Sequence, residues 1–328
     1  IFFVFQIGEK GFFVSTRYEK TFRYSTNFPF TMPIFGFPTP TLLDFSSRGI
    51  DDSEIVKHIF AASTPLQIVD IGASDIEDKP VYDPLIEEGL GNLIGFEPSP
   101  EMYEKLKDLE SDNAHYLPYA LGDGTEQTLK VCRAPGMTSL LEPDMELLTH
   151  FHGFDDWAIV EKRLPIQTHR LDDIEEISDI DFIKIDTQGA EYQIIEAGQK
   201  KITNAVAMHV ELSFKPIYHG EKSFAEVDLL MNKLGFSLHT MAQINRRAFR
   251  PMIFNNSIFD GLHHILQVDA LYIKDFKNLG ELSPRKLRSL AAILHYCYGS
   301  FDAALLALRH YDRKSSTDLA DTYLKSLR

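Results

Sequence analysis

The chain has 328 residues, 44% apolar and 25% charged, an ordinary globular composition that allows one large α/β domain with additions or two modest domains. Lys and Arg number 33 against 48 Asp and Glu, a formal net charge of −15; this field repels phosphate backbones and anionic lipid, and so speaks against nucleic acid and membrane surfaces as partners. Cys132 and Cys297 are too few and too far apart for a disulfide framework or a cysteine-built zinc site, which points to a reducing, cytoplasmic setting.

Residues 1–31 are rich in Phe and Tyr without clear periodicity, and Met32 stands just before the first segment that looks like the rest. They read as an upstream addition or as an N-terminal arm. Pro29, Pro33, Pro38 and Pro40 with Gly36 and Gly49 make 29–50 an extended lead-in, so 1–50 is set apart. No run approaches the roughly 20 apolar residues of a bilayer span. The start Asp51-Asp52-Ser53-Glu54, followed by Ile55, Val56, Ile59 and Phe60, predicts a helix over 51–62.

Short apolar runs then alternate with helical patterns. Strands are expected at 66–71, 92–96, 114–119, 182–185, 205–212, 236–241 and 270–273, and helices at 100–109, 192–197 and 224–234. Near-continuous apolar strands separated by amphipathic helices imply a parallel sheet covered on both faces, a doubly wound α/β sandwich over 51–275. Beyond it, 282–298 and 301–311 are helical, joined at Gly299-Ser300, with a third helix at 318–327. Tyr298-Gly299 with Ala303, Ala304 and Ala307 loosely matches one tetratricopeptide-type helix pair. A lone repeat cannot bury its own face. The plainer reading of 276–328 is a helical extension docked on the sheet domain, with 281–328 also a surface for a protein partner or self-association.

Chemistry concentrates at the strand ends. Ile68-Val69-Asp70-Ile71-Gly72-Ala73-Ser74 is a buried strand ending in an acid, then a glycine turn and small residues. Such a turn lets the backbone approach a ligand, though it also serves as plain structure. Glu97, before Pro98, follows Asp70 by 27 residues, one strand–helix–strand unit. A carboxylate on that tip can accept both ribose hydroxyls of an adenosine ligand. Ala120, Leu121 and Asp123 end the third strand, where the loop would border adenine, but Asp123-Gly124 is equally a hairpin turn. In Asp181-Phe182-Ile183-Lys184-Ile185-Asp186, charges interrupt a strand fit for burial, which is costly unless they are paired or used. An ion pair of Lys184 with an acid competes with a functional role.

With Thr138-Ser139-Leu140, Thr168-His169-Arg170-Leu171-Asp172, Gly189-Ala190-Glu191 and Val210-Glu211 in the same order, residues 65–275 resemble the FkbM methyltransferases. The resemblance implies a Rossmann-like class I fold with a mostly parallel seven-stranded sheet. It implies S-adenosylmethionine as donor and O-methylation of a hydroxyl on a sugar, polyketide or similar small metabolite. Asp70, Gly72 and Glu97, with Ala73, Ser74, Pro98, Ala120, Leu121 and Asp123, would then surround the donor, and Asp186 would sit near the transferred methyl. Ser74 and Ile76 stand where Asn and a further Gly are common, and Gln188 stands where Glu is frequent.

Methyl transfer needs alignment and, for a hydroxyl acceptor, a proton acceptor. His209 and Glu211, at i and i+2 of a strand, share a face and form with Asp186 the candidate catalytic set; His169, Tyr218 and His219 are further candidates. The same three could gather a cation, although no metal is assigned. Segments 133–152 and 245–264 read as insertions that form the acceptor pocket or its lid. Two other readings remain: a methyltransferase-like interaction protein using its C-terminal helices, and a nicotinamide-dependent dehydrogenase, which lacks its G-x-G-x-x-G turn here.

Overall fold

The computed structural model describes the backbone of residues 4–8, 11–15 and 22–23, and residues 54–61, 64–73 and 79–327 in full. The expectations for the lead-in, for the acidic helix start at 51–53, and for Ser74 and Ile76 lie outside the described residues. Two compact units divide the chain, 1–47 and 48–328. In the first, Val4–Gly8, Gly11–Ser15 and Phe22–Arg23 pair antiparallel in chain order.

The second unit is built on a seven-stranded sheet, whose strands are numbered here: β1 Leu66–Ile71, β2 Gly91–Phe96, β3 Ala114–Leu117, β4 Phe182–Ile185, β5 Ala207–Ser213, β6 Phe236–Arg246 and β7 Ile265–Lys274. They lie in the order β3-β2-β1-β4-β5-β7-β6. β7 runs antiparallel to both neighbours, and the other strands are parallel to one another.

Alternation along each strand sorts the side chains onto two faces. Val69, Ile71, Ile183, Ile185, Met208, Val210, Ala270 and Tyr272 pack under α4 (Glu191–Ala197) and α5 (Phe224–Lys233). Ile68, Leu93, Phe182, Ala207, Leu271 and Ile273 pack on the other face against α1 (Glu54–Phe60), α2 (Asp83–Glu87) and α3 (Pro100–Lys107). The same layer holds α6 (Pro284–Tyr298), α7 (Phe301–Ser315) and α8 (Leu319–Ser326). The C-terminal helices therefore share the core of the sheet, with Leu287, Leu290, Ala291 and Leu294 fully buried.

Every strand expected from the sequence is present, and β6 and β7 run several residues further than their apolar stretches. Glu126–Cys132 and Val160–His169 form an antiparallel pair that the sequence pattern did not mark. The second is charged and mostly exposed, so no apolar alternation betrays it. Segments 133–152 and 245–264 pack on each other, with Phe151 stacked on Phe249 at 5.2 Å, and just beyond the first segment Trp157 stacks on Phe259 at 5.5 Å. Met137, Leu148 and Phe151 of the first segment form a small core with Phe154, Ile217, Tyr218 and Leu266. No helix among the described residues is long and apolar enough to cross a membrane.

Candidate active site

On the face carrying the C-terminal helices, apolar side chains give way to polar ones toward the carboxyl ends of the parallel strands. Ile68 is followed by Asp70, Phe182 by Lys184 and Asp186, Ala207 by His209 and Glu211, and Leu93 by Gly95 and Glu97. Register aligns them. Asp70, Lys184 and His209 sit side by side on β1, β4 and β5, while Glu211 faces Asp269 of β7. The helices cover the apolar half of this face and leave a polar row at the tips. In parallel sheets that edge is where ligands bind.

Asp70 and Glu97 come together on adjacent strands. Asp70 is 2% exposed and accepts from the Tyr82 hydroxyl at 2.6 Å and from Lys184 Nζ at 3.3 Å. Burial opposes the charge of Lys184, but Asp70 and Asp186 outweigh it and hold the ammonium above its ordinary value. The expected ion pair thus exists, with Asp70 as its main partner. Glu97 is also buried and accepts at Oε1 from the Ser99 N–H at 2.7 Å. Burial above all, with Asp70 adding, pushes its carboxyl up to about 7 against the opposing Ser99 bond.

Gly72 serves the protein as much as any ligand. Its φ is +84°, and a Cβ would fall 2.0 Å from the Asp186 carbonyl oxygen, so only glycine lets β1 and β4 close at their tips. Gly72 and Ala73 N–H both donate to the Phe96 carbonyl at 3.0 Å. Pro98 follows Glu97 at partial exposure, and Ala120 and Leu121 are buried in a two-residue strand beside Thr168 and His169. Asp123 is exposed; it accepts from Thr125 N–H at 2.9 Å and from Gln127 at 3.0 Å. The Thr125 bonds hold it below the usual carboxylate range. This is the turn arrangement, with Gly124 at φ +89°.

The second cluster centres on Gln188. Its amide donates to Asp186 Oδ1 at 2.9 Å and to Glu211 Oε2 at 2.8 Å. The Tyr218 hydroxyl lies 3.3 Å from its Oε1, and Ser139 Oγ donates to its carbonyl at 2.6 Å. Gln188 has φ +57°, a left-handed conformation costly for a residue with a side chain; these bonds hold it there. Burial first, then Asp186 and Asp269, drive Glu211 well above the ordinary carboxyl value, and burial raises Asp269 to about 6. Asp186 and Glu211 are thus a bridged acid pair, in which Asp186 adds to the burial that raises Glu211. An amide at 188 bridges two acids without adding a third negative charge.

Glu191 belongs to structure. It is buried and accepts from the backbone N–H of Thr187 at 2.8 Å and of Gly189 at 3.1 Å, which fixes the loop that presents Gln188. His209 is pushed down to about 4 by burial and by Lys184, and its Nδ1 lies 3.0 Å from the Tyr298 hydroxyl. His169 stacks on Tyr119, and His219 is exposed beside Glu142. A cavity of about 380 Å³ borders Gly189, lined by Asp123, Arg170, Glu196 and Lys222 among others. Among the described residues no three His, Cys, Asp or Glu side chains are grouped to hold a metal ion.

Sequence reasoning missed Tyr82 and Asp269, and it quoted Ser139 in a family motif without giving it a role. Tyr82 arrives on a loop with no local signal. Asp269 carried one, an acid within an apolar run like that around Asp186.

The family model described as the methyltransferase FkbM domain matches residues 70–238. No curated protein matches the chain. Similar solved structures include precorrin-6y C5,15-methyltransferase from Geobacter metallireducens, at 11% identity over 67% of this chain and 85% of that one, with a TM-score of 0.33. Another is TYW2 from M. jannaschii in complex with AdoMet, at 11% identity over 68% and 75%, with a TM-score of 0.30.

Proposed function

Because the chain belongs to the FkbM methyltransferase family, with S-adenosylmethionine as its cofactor, we propose that it methylates a hydroxyl oxygen on a small metabolite or sugar. The residues present fit the donor. Glu97, buried at the tip of β2, takes one hydrogen bond among the described residues, which leaves lone pairs for ribose hydroxyls. Asp70 lies alongside, held by Lys184 and Tyr82. S-adenosylmethionine supplies an activated methyl group when bound.

The acid pair carries the reading. A hydroxyl loses its proton as its oxygen takes the methyl, and Glu211, whose proton affinity burial and Asp186 raise, can receive that proton with Asp186 beside it. Gln188 holds both carboxyls in place.

The test separates donor from acceptor chemistry. Glu97→Ala weakens S-adenosylmethionine affinity more than tenfold in calorimetry, about 1.4 kcal/mol. Asp186→Asn keeps that affinity and lowers turnover by roughly 10²-fold or more. If both variants behave like the parent, the site lies elsewhere. If the wild type methylates nitrogen acceptors and no hydroxyl, the acceptor class is wrong.

A further inference from the structure

The last residue of α6 enters the polar row from outside the family-matched segment. Gly299, left-handed at φ +59°, ends the helix, and its N–H donates back to the His295 carbonyl. Tyr298 is thereby held against the sheet, its ring edge-on to Phe182 at 6.2 Å and its hydroxyl 3.0 Å from His209 Nδ1. Two residues on, Ser300 Oγ lies 2.9 Å from Nε2 of His239 on β6. One turn thus engages two strand histidines.

His209 is buried beside Lys184 and neutral at physiological pH, so its ring carries a single N–H. Burial likewise keeps the Tyr298 phenol protonated. A phenol hydroxyl donates well and accepts poorly, because its lone pair is shared with the ring, whereas a bare imidazole nitrogen accepts strongly. The 3.0 Å contact is therefore best made as O–H to Nδ1.

We propose that Tyr298 donates to His209 Nδ1, fixes the tautomer with the proton on Nε2, and so makes His209 a hydrogen-bond donor at the acceptor site instead of a general base. The inference rests on the hydroxyl-methylating reading and deepens it. The acceptor's proton goes to the Asp186–Glu211 pair, and the His209 Nε2–H is left to orient an acceptor oxygen. Tyr298 is a positioning residue, and the helical extension completes the site.

Histidine-ring ¹⁵N spectra of the full chain test this, with His209→Gln assigning the resonance. The wild type shows the Nε2–H tautomer, and Tyr298→Phe shifts the ring toward a mixture of tautomers. With methyl glucoside as the hydroxyl probe, Tyr298→Phe lowers turnover roughly tenfold, while S-adenosylmethionine affinity stays within about twofold. An Nδ1–H tautomer in the wild type, or a ring spectrum unmoved by Tyr298→Phe, overturns the proposal. If the Nε2–H tautomer depends on Tyr298 but no hydroxyl probe is methylated, the positioning role stands and the hydroxyl reading falls.

Discussion

Glu97, the proposed donor ligand, costs the empty fold stability. Its ordinary carboxyl value is 4.5, and burial raises it to about 7 in the folded chain. The folded state therefore keeps this proton to higher pH than the unfolded state, so ionisation opposes folding. The penalty is absent below about pH 4.5, grows between there and about pH 7, and is complete above. A displacement of that size corresponds to on the order of 3 kcal/mol. Glu97→Gln, which cannot ionise, raises the melting temperature of the donor-free protein at about pH 8 and leaves it unchanged near pH 4.5. A lower melting temperature at pH 8 contradicts this account. In the parent, donor binding tightens as pH rises from about 6 to 8, because the ionised carboxylate is the better acceptor for hydroxyls.

Among the elements, α6 is tied to the sheet by charge as well as by apolar contact. Asp181, at the start of β4, is fully buried. It accepts from Gln67 N–H at 3.0 Å and from Arg285 at 2.7 Å, with Lys286 Nζ at 3.0 Å. Burial pushes its carboxyl upward, but the Arg285 bond and Lys286 outweigh it and hold the group below its ordinary value. Removing the acid leaves the Gln67 N–H unpaired and takes one partner from Arg285 and Lys286, which keep Asp179. Asp181→Ala is expected to cost roughly 1–3 kcal/mol in urea unfolding; a loss well under about 1 kcal/mol would show that the apolar contacts alone seat the helix. The parallel strands were legible because Ile68, Val69, Ile183 and Val210 are apolar on both faces and allow no other reading. Val160–His169 was not, because its side chains are charged and mostly exposed, and Pro165 sits inside it. Glu97, Asp186 and Glu211 announced themselves as acids closing apolar runs. Gln188's role did not: its meaning depends on Ser139, 49 residues earlier, and Tyr218, 30 later.

At the scale of the whole second unit, the C-terminal helices belong to the sheet's own core. Leu287, Leu290, Leu294 and Leu308 are fully buried, and each such side chain is worth roughly 2 kcal/mol. Their sum is comparable with the entire stability margin of an ordinary domain, about 5–15 kcal/mol. A chain ending at residue 280 is therefore expected to lose cooperative unfolding and to aggregate. If it melts cooperatively with S-adenosylmethionine affinity intact, the helices are a dispensable appendage.

β7 is the last strand of the sheet to be synthesised, yet it lies between β5 and β6. A nascent chain that has emerged only as far as β6 has no neighbour for that strand except the gap β7 will fill. Asp269 arrives with β7, so the acidic wall beside Glu211 closes only when the wedge is driven home. Ribosome-bound intermediates of this protein would carry two open backbone edges, the situation in which a growing chain most needs shielding from its neighbours.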